Sequence, residues 1–202
     1  LGTEAISTAL KAAAIGLALI AVFMIAYYWI SGVAATIALG IYTTMVVAVI
    51  YLFEITLTLP GIAGIILSIG MAVDANVIIF ARIREEIASG KTVSTAIKTG
   101  FQKALSAILD GNITTLIAAA VLAFKGSGFV KGFAYTLAIG IVLSMFTALV
   151  VTRLVLHGLY VIGFRDAKFY GRQKDRRPMH FIAKRHVFFI ISAVIILSLI
   201  HI

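Results

Sequence analysis

The sequence predicts an all-α fold, a polytopic bundle of membrane-spanning helices. Of its 202 residues, 62% are hydrophobic and 12% are charged, whereas soluble domains carry about 25% charged residues. Its mean hydropathy is +1.12, and its apolar residues form runs of about 20, the length that crosses a bilayer as a helix. The basic residues gather in two segments between these runs. We therefore expect a lipid bilayer and no nucleic acid around this chain.

Five apolar runs predict complete spans. These are 11–30, 33–53, 59–81, 104–124 and 129–152, the last with an apolar extension to Phe164. Pro60 stands in the first turn of the third span, where its missing N–H costs nothing. A sixth run, 187–202, is short, with 16 residues before the sequence stops.

Charge sets the predicted orientation of these spans. Segments 82–103 and 164–186 hold five and eight basic residues and two acidic ones each. The excess of Lys and Arg predicts that both segments are cytoplasmic, which places Ser89 and Gln173 inside and Ser127 outside. Five crossings then alternate without conflict. Docking to a cytoplasmic partner is the alternative interpretation of these charges.

Segment 82–103 has helical features of its own. Gly90 is a typical stop for the helix that precedes it. After this stop, Val93, Ile97, Phe101 and Leu105 follow one another at steps of four, which is an amphipathic pattern. We predict a helix on the inner membrane surface that runs into the fourth span.

Asp74 is the residue most informative about function. It lies within the apolar run 59–81, and a charged carboxylate in the middle of a spanning helix costs roughly 2.5–3.5 kcal/mol on insertion scales. Such a side chain must face protein or water, and by default it indicates an ion pathway.

Other polar residues are predicted at the same depth. Counted from the basic anchors at about 1.5 Å per residue, Asp74, Asp110 and Ser144 lie about 12, 10 and 13 Å inside the membrane. The residues close to this level are Asn76, Asn112, Thr114 and Thr115. A common level predicts one intramembrane polar cluster. Alternatively, the neutral residues hydrogen-bond between helices and hold the bundle together, and Asp110 serves as a helix cap.

Small residues repeat every four positions in two of the spans. The third span has Gly64, Ser68 and Ala72, and the fifth has Gly132, Thr136, Gly140, Ser144, Ala148 and Thr152. In lipid, such stripes allow close helix approach. We interpret them as packing seams, with sliding during transport as the alternative.

Signals of enzymatic or metal chemistry are weak. The chain has no cysteine and four dispersed histidines, so we predict no metal, no cofactor and no enzyme. An intramembrane aspartyl protease remains an alternative, although the GxGD element of those enzymes is replaced here by Gly70-Met-Ala-Val-Asp74.

Several motifs together resemble the SecD family of protein-export membrane proteins. They lie in 57–64, 70–80, 110–117, 132–148 and 151–153. The resemblance covers about 1–171, and the tail from Met179 is similar to the start of SecF. The chain thus resembles a piece of a fused SecD–SecF protein. Tyr42 stands where this family commonly has Asn.

The resemblance implies the transmembrane domain of an RND-type transporter. Residues 1–164 would be the SecD-like bundle, 165–186 a basic cytoplasmic linker and 187–202 the first SecF-like span. The family acts beside the SecYEG translocon in the bacterial cytoplasmic membrane and is thought to use the proton motive force to assist polypeptide translocation. The SecF half and the extracytoplasmic domain that would touch the polypeptide are not in this sequence.

Residue by residue, the resemblance makes Asp74 the proton relay. Asn76, Asp110 and Asn112 occupy matched motif positions with weaker claims to function. Two other functions stay open, which are a small-molecule RND exporter and a non-transporting scaffold of the translocon. Sodium remains possible as the coupling ion.

Overall fold

A computed structural model describes residues 2–171, 188–190 and 192–193. These residues form helices and short turns and contain no strand. In chain order, the elements are α1 (Gly2–Tyr28), α2 (Ile30–Leu52), α3 (Leu59–Ala88), α4 (Val93–Lys125), α5 (Phe129–Phe146), a π-helical segment (Thr147–Val151), α6 (Thr152–Ile162) and a 3-10 turn (Ala167–Tyr170).

The five predicted spans are confirmed. Five helical stretches of the described chain are long and apolar enough to cross a membrane: Ile6–Tyr28, Ile30–Leu52, Leu59–Ala88, Val93–Lys125 and Phe129–Ile162. The protein is therefore an all-α, multi-pass membrane protein. The predicted sixth span 187–202 and most of the linker 165–186 lie outside the described residues.

Local sequence signals fix where α3 and α4 begin and end. The Thr58 hydroxyl accepts a hydrogen bond from the Gly61 N–H at 3.1 Å, with Pro60 in the first turn of α3. Gly90, just beyond α3, has φ +89, a left-handed conformation in which glycine has no Cβ penalty. Thr92 then caps α4 through the Thr95 N–H.

The centre of the bundle is a close contact between α3 and α5. A Cβ added to Gly64 would lie 2.9 Å from the Phe133 carbonyl oxygen, and one added to Gly140 would collide with the Ser68 side chain. Across the same contact, the Thr136 hydroxyl donates to the Gly61 carbonyl at 2.9 Å. The predicted small-residue seam is confirmed as a packing interface.

α3 and α4 are longer than a membrane is thick. Their 30 and 33 residues correspond to about 45 and 50 Å, against a hydrocarbon core of about 30 Å. The surplus lies at the end of the bundle that holds segment 82–103, which we call the basic end. There Gly100 packs on Ile83, and the buried Glu86 pairs with both Lys91 and Lys103.

The amphipathic segment that begins at Val93 packs on a different surface from the one predicted. Val93, Ile97 and Phe101 are buried in the protein core, and the segment continues without a break into α4. These three side chains therefore pack on protein, where the prediction placed them on the membrane surface, whereas Leu105 is 40% exposed. α3 continues past the predicted end of its span at 81 to the predicted stop at Gly90, and this extension supplies the surface that covers these side chains.

Arg84 joins three segments at the basic end. Its guanidinium donates to the carbonyls of Tyr27 at 3.0 Å and Tyr170 at 3.4 Å, and it lies over the rings of Tyr27 and Tyr28. Burial raises the pKa of Tyr170 to about 12, so this phenol stays neutral. The turn between α1 and α2, the end of α3 and the segment after α6 therefore share one end of the bundle, as the alternating topology requires.

We predict that filling the central seam destabilises the bundle. Gly140→Val would force α5 away from Ser68 and α3, and overpacking of this kind typically costs about 1–3 kcal/mol. Gly158→Val is the matched control, because a Cβ added to Gly158 meets nothing within 4 Å. The measurement is the thermal midpoint of the full-length protein in detergent. Equal midpoints for the two variants would contradict the seam.

Candidate functional site

Helix registers set the relative depth of the intramembrane polar residues. α3 and α4 run antiparallel with Gly100 against Ile83, so Asp110, ten residues on, is level with Val73. α3 and α5 run parallel with Gly140 against Ser68, so Ser144 is level with Ala72. Asp74, Asp110 and Ser144 thus lie within about 3 Å of one another in depth. The common level predicted for them is confirmed.

Asn76 faces the interior of the bundle and bridges two spans. Its Oδ1 accepts a hydrogen bond from the Thr152 hydroxyl at 2.8 Å, and its Nδ2 donates to the Ala72 carbonyl at 3.2 Å. Asn76 and Thr152 are both buried. The same Thr152 hydroxyl lies 3.2 Å from the Thr147 carbonyl within the π-helical segment. This pair links α3 to the start of α6.

Asn112 and Ser144 are also buried, but each bonds within its own helix. Asn112 Nδ2 donates to the Ile108 carbonyl at 2.7 Å, and the Ser144 hydroxyl donates to Ile141 at 2.8 Å. Within the described residues, Asn112 Oδ1 is buried without a hydrogen-bond partner. Asn112 Oδ1 is therefore a hydrogen-bond acceptor without a described partner inside the bundle at this depth.

The carboxylates face the other way. Asp74 and Asp110 are exposed, because a residue two positions from Asn76 or Asn112 points roughly 200° around the helix. The hydroxyl of the exposed Thr114 donates to the Asp110 main-chain carbonyl, and that of Thr115 to Gly111.

The structure does not bring the seven predicted side chains into one cluster. In the described part of the chain, no hydrogen bond joins the side chain of one of them to the side chain of another. The neutral groups Asn76, Asn112 and Ser144 lie inside the bundle, whereas Asp74, Asp110 and Thr114 lie on its surface. The depth of these residues was predictable from chain position, but the side of the helix on which each one lies was not predicted. Of these three buried neutral groups, Asn76 fits the alternative role of holding helices together, because its hydrogen bond to Thr152 joins two spans.

Asp74 lies on a face of α3 that the described residues leave uncovered. One turn before it, a Cβ added to Gly70 would meet nothing within 4 Å, and Leu67 is 49% exposed. On either side of this face, Val73 packs toward α2 and Met71 toward α4 and α5. No hydrogen bond or ion pair to the Asp74 side chain occurs among the described residues. Its carboxyl group is therefore accessible from the side that the described residues leave open.

Two buried hydroxyl contacts were not predicted. Thr152 was recognised only as a small residue of the fifth span, and its position eight residues after Ser144 is the signal that it shares that inward face. The Tyr42 and Ser68 hydroxyls lie 2.7 Å apart and link α2 to α3. The sequence pattern likewise predicted Ser68 only as a small packing residue of the third span. Among the described residues, no group of three His, Cys, Asp or Glu side chains could hold a metal ion.

Comparison with known proteins shows the family of this chain. The family described as "Protein export membrane protein SecD/SecF, C-terminal" matches residues 1–161. The chain belongs to the SecD/SecF family. It is 56% identical over 159 residues to the protein translocase subunit SecD of Acidaminococcus fermentans, and 55% identical over 156 residues to that of Synechocystis. These alignments cover 79% and 77% of this chain, and its resemblance to SecD is confirmed.

A solved structure extends the likeness to the fold. The crystal structure of SecDF from Thermus, a translocon-associated membrane protein, aligns with a TM-score of 0.84 at 36% identity. That alignment covers 99% of this chain and 27% of the Thermus chain. The chain likewise spans only 38% and 33% of the two SecD relatives. The helices of this chain match the membrane domain of the SecDF structure.

We predict that the buried pair between α3 and α6 stabilises the bundle. Thr152→Val keeps the shape of the side chain but leaves Asn76 Oδ1 unpaired, which costs about 1 kcal/mol for a hydrogen bond between membrane helices. Thr152→Ser retains the hydroxyl and is the control. Thermal midpoints of the full-length variants in detergent test this prediction. Equal thermal midpoints for the valine and serine variants would contradict the prediction.

Proposed function

We propose that this chain is the membrane-embedded part of an auxiliary subunit of the Sec protein-secretion machinery, which uses the proton motive force to assist polypeptide translocation. Its partners would be the SecYEG translocon, the SecF half and the translocating polypeptide. Its location would be the bacterial cytoplasmic membrane. We propose transport coupling for this chain and no enzymatic reaction.

One observation carries the proposal, which is the uncovered carboxyl of Asp74 at mid-depth. Its position on α3, the helix at the central seam, means that it is held by a rigid support. Exposure of a charged carboxylate to lipid at this depth is unfavourable. In the whole protein we therefore expect further protein or water to cover this face. The chain spans about a third of its SecD relatives, which leaves ample sequence for such a cover.

A proton relay follows from the chemistry of this position. A carboxyl group in a low-dielectric site favours its neutral form and takes up a proton, whereas polar surroundings favour the charged form and release it. Alternating exposure of Asp74 to the two sides of the membrane would then couple proton flow to movement. A sodium ion bound to the carboxylate is the alternative coupling ion.

Two rival functions make different demands on Asp74. A scaffold of the translocon needs the bundle but no titrating carboxyl. A small-molecule exporter would also use a relay carboxylate, but the relatives that match this chain are SecD subunits, which supports protein export.

We predict that Asp74→Asn in the full-length protein abolishes the gradient-dependent part of export while leaving membrane insertion and thermal stability intact. Asparagine has nearly the same shape but cannot ionise, and Asp74→Glu should retain part of the activity. Export of a reporter polypeptide into inverted membrane vesicles is measured with and without an uncoupler.

Asp110→Asn is the matched variant, because it removes a second exposed carboxylate at the same depth. We expect it to lose less of the uncoupler-sensitive export than Asp74→Asn. If Asp74→Asn keeps its uncoupler-sensitive stimulation, Asp74 is not the relay and the scaffold is the better interpretation.

Orientation is a separate prediction. The basic end should face the cytoplasm, so in intact cells an impermeant maleimide should label Ser127→Cys and not Ser89→Cys. Both serines are exposed, and labelling of both after permeabilisation serves as the control. The reverse pattern would overturn the topology. Gln173, predicted to be cytoplasmic, lies outside the described residues.

A further inference from the structure

A cleft of about 690 Å³ opens at the basic end between the start of α4 and the junction of the π-helical segment with α6. Its volume lies in the range of small-molecule sites. Asp74 is not among its lining residues. The cleft is therefore a feature distinct from the carboxyl proposed as the relay.

The polar side of the cleft carries basic side chains. Lys98 and Arg153 line it together with His157 and the α4 residues Ser94 and Thr95, and no acidic residue is among the lining side chains. In the described chain, neither Lys98 nor Arg153 forms an ion pair. Four other cations at this end are engaged: Arg82 pairs with Glu85, Lys91 and Lys103 pair with Glu86, and Arg84 binds two carbonyls. Two free cations without a counter-ion give this cleft a local positive potential.

The other side of the cleft is apolar and continues into the membrane-spanning part. Leu149 and Val150 come from the π-helical segment, and Leu154 lies one turn further on. Val150 is 41% exposed and Leu154 67%. Arg153 follows Ser144 by nine residues, or about 13 Å along the helix. The cleft thus straddles the boundary between the apolar part of the bundle and its basic end.

An occupant that satisfies both sides must itself be amphipathic. A free phosphate would leave the apolar wall in contact with water, and an apolar segment would leave two cations unpaired. Basic pockets between spanning helices on the cytoplasmic side are suited to anionic lipid headgroups. We propose that this cleft binds an anionic phospholipid, with Lys98 and Arg153 on the headgroup phosphate and one acyl chain along Leu149, Val150 and Leu154.

The test is lipid retention by the full-length protein. The protein is purified, incorporated into nanodiscs of phosphatidylcholine doped with phosphatidylglycerol, and released for native mass spectrometry. Each Lys or Arg near an anionic surface contributes about fivefold to binding. The double variant Lys98→Gln, Arg153→Gln should therefore bind phosphatidylglycerol on the order of 20-fold more weakly.

Two comparison variants make the result specific. Arg82→Gln, Arg165→Gln removes two cations from the same end but away from the cleft, and it should retain phosphatidylglycerol as the unaltered protein does. Leu154→Trp keeps every charge, fills the apolar side of the cleft and should also lower retention. Equal loss from both double variants would mean general surface attraction and would overturn the proposal, as would full retention by Lys98→Gln, Arg153→Gln.

A photo-reactive side chain at Val150 identifies the occupant directly. We expect p-benzoylphenylalanine at this position to form an adduct with the mass of a phospholipid. A cross-link to another segment of the full-length protein would show that protein covers the cleft and would overturn the lipid site. Neither result depends on Asp74. The lipid site and the proposed relay are therefore tested independently.

Discussion

The close contact of α3 with α5 is the interaction on which the rest of the bundle depends. In lipid, helices gain little from burying apolar side chains, so close approach and interhelical hydrogen bonds must hold them together. Gly64 and Gly140 permit that approach, and Thr136 adds a bond to the Gly61 carbonyl. Because α3 is fixed in this way, the π-helical segment can bring Thr152 within hydrogen-bond distance of Asn76 near the basic end of the same contact.

This arrangement divides the intramembrane polar groups into two kinds. Groups that can be satisfied within the bundle, Asn76 above all, point inward and stabilise it. Carboxylates cannot be satisfied there, because no cation of the described chain pairs with Asp74 or Asp110. A buried unpaired charge costs far more than an amide that finds a partner. The two aspartates therefore lie on faces where water or further protein can reach them.

The sequence was sufficient for the five complete spans, their common polar level and the small-residue seam, because each depends on spacing along one chain segment. It was insufficient wherever partners come from distant segments. Thr152 and Tyr42 were not recognised as hydrogen-bond partners, since nothing local distinguishes them from packing residues. Placement of Val93, Ile97 and Phe101 on lipid was wrong for the same reason. Their apolar face is covered by an extension of α3 that apolar run length alone did not reveal.

Among the described residues, contacts hold α3 on the sides away from Asp74. α5 contacts it through the seam, Lys103 of α4 pairs with its Glu86, and its Arg84 is bound to the turn between α1 and α2. These contacts resist movement of α3 within its own bundle. If Asp74 titrates as proposed, the resulting force acts across its uncovered face. The movement that follows is then a displacement of the whole bundle against whatever covers that face, rather than a rearrangement inside it.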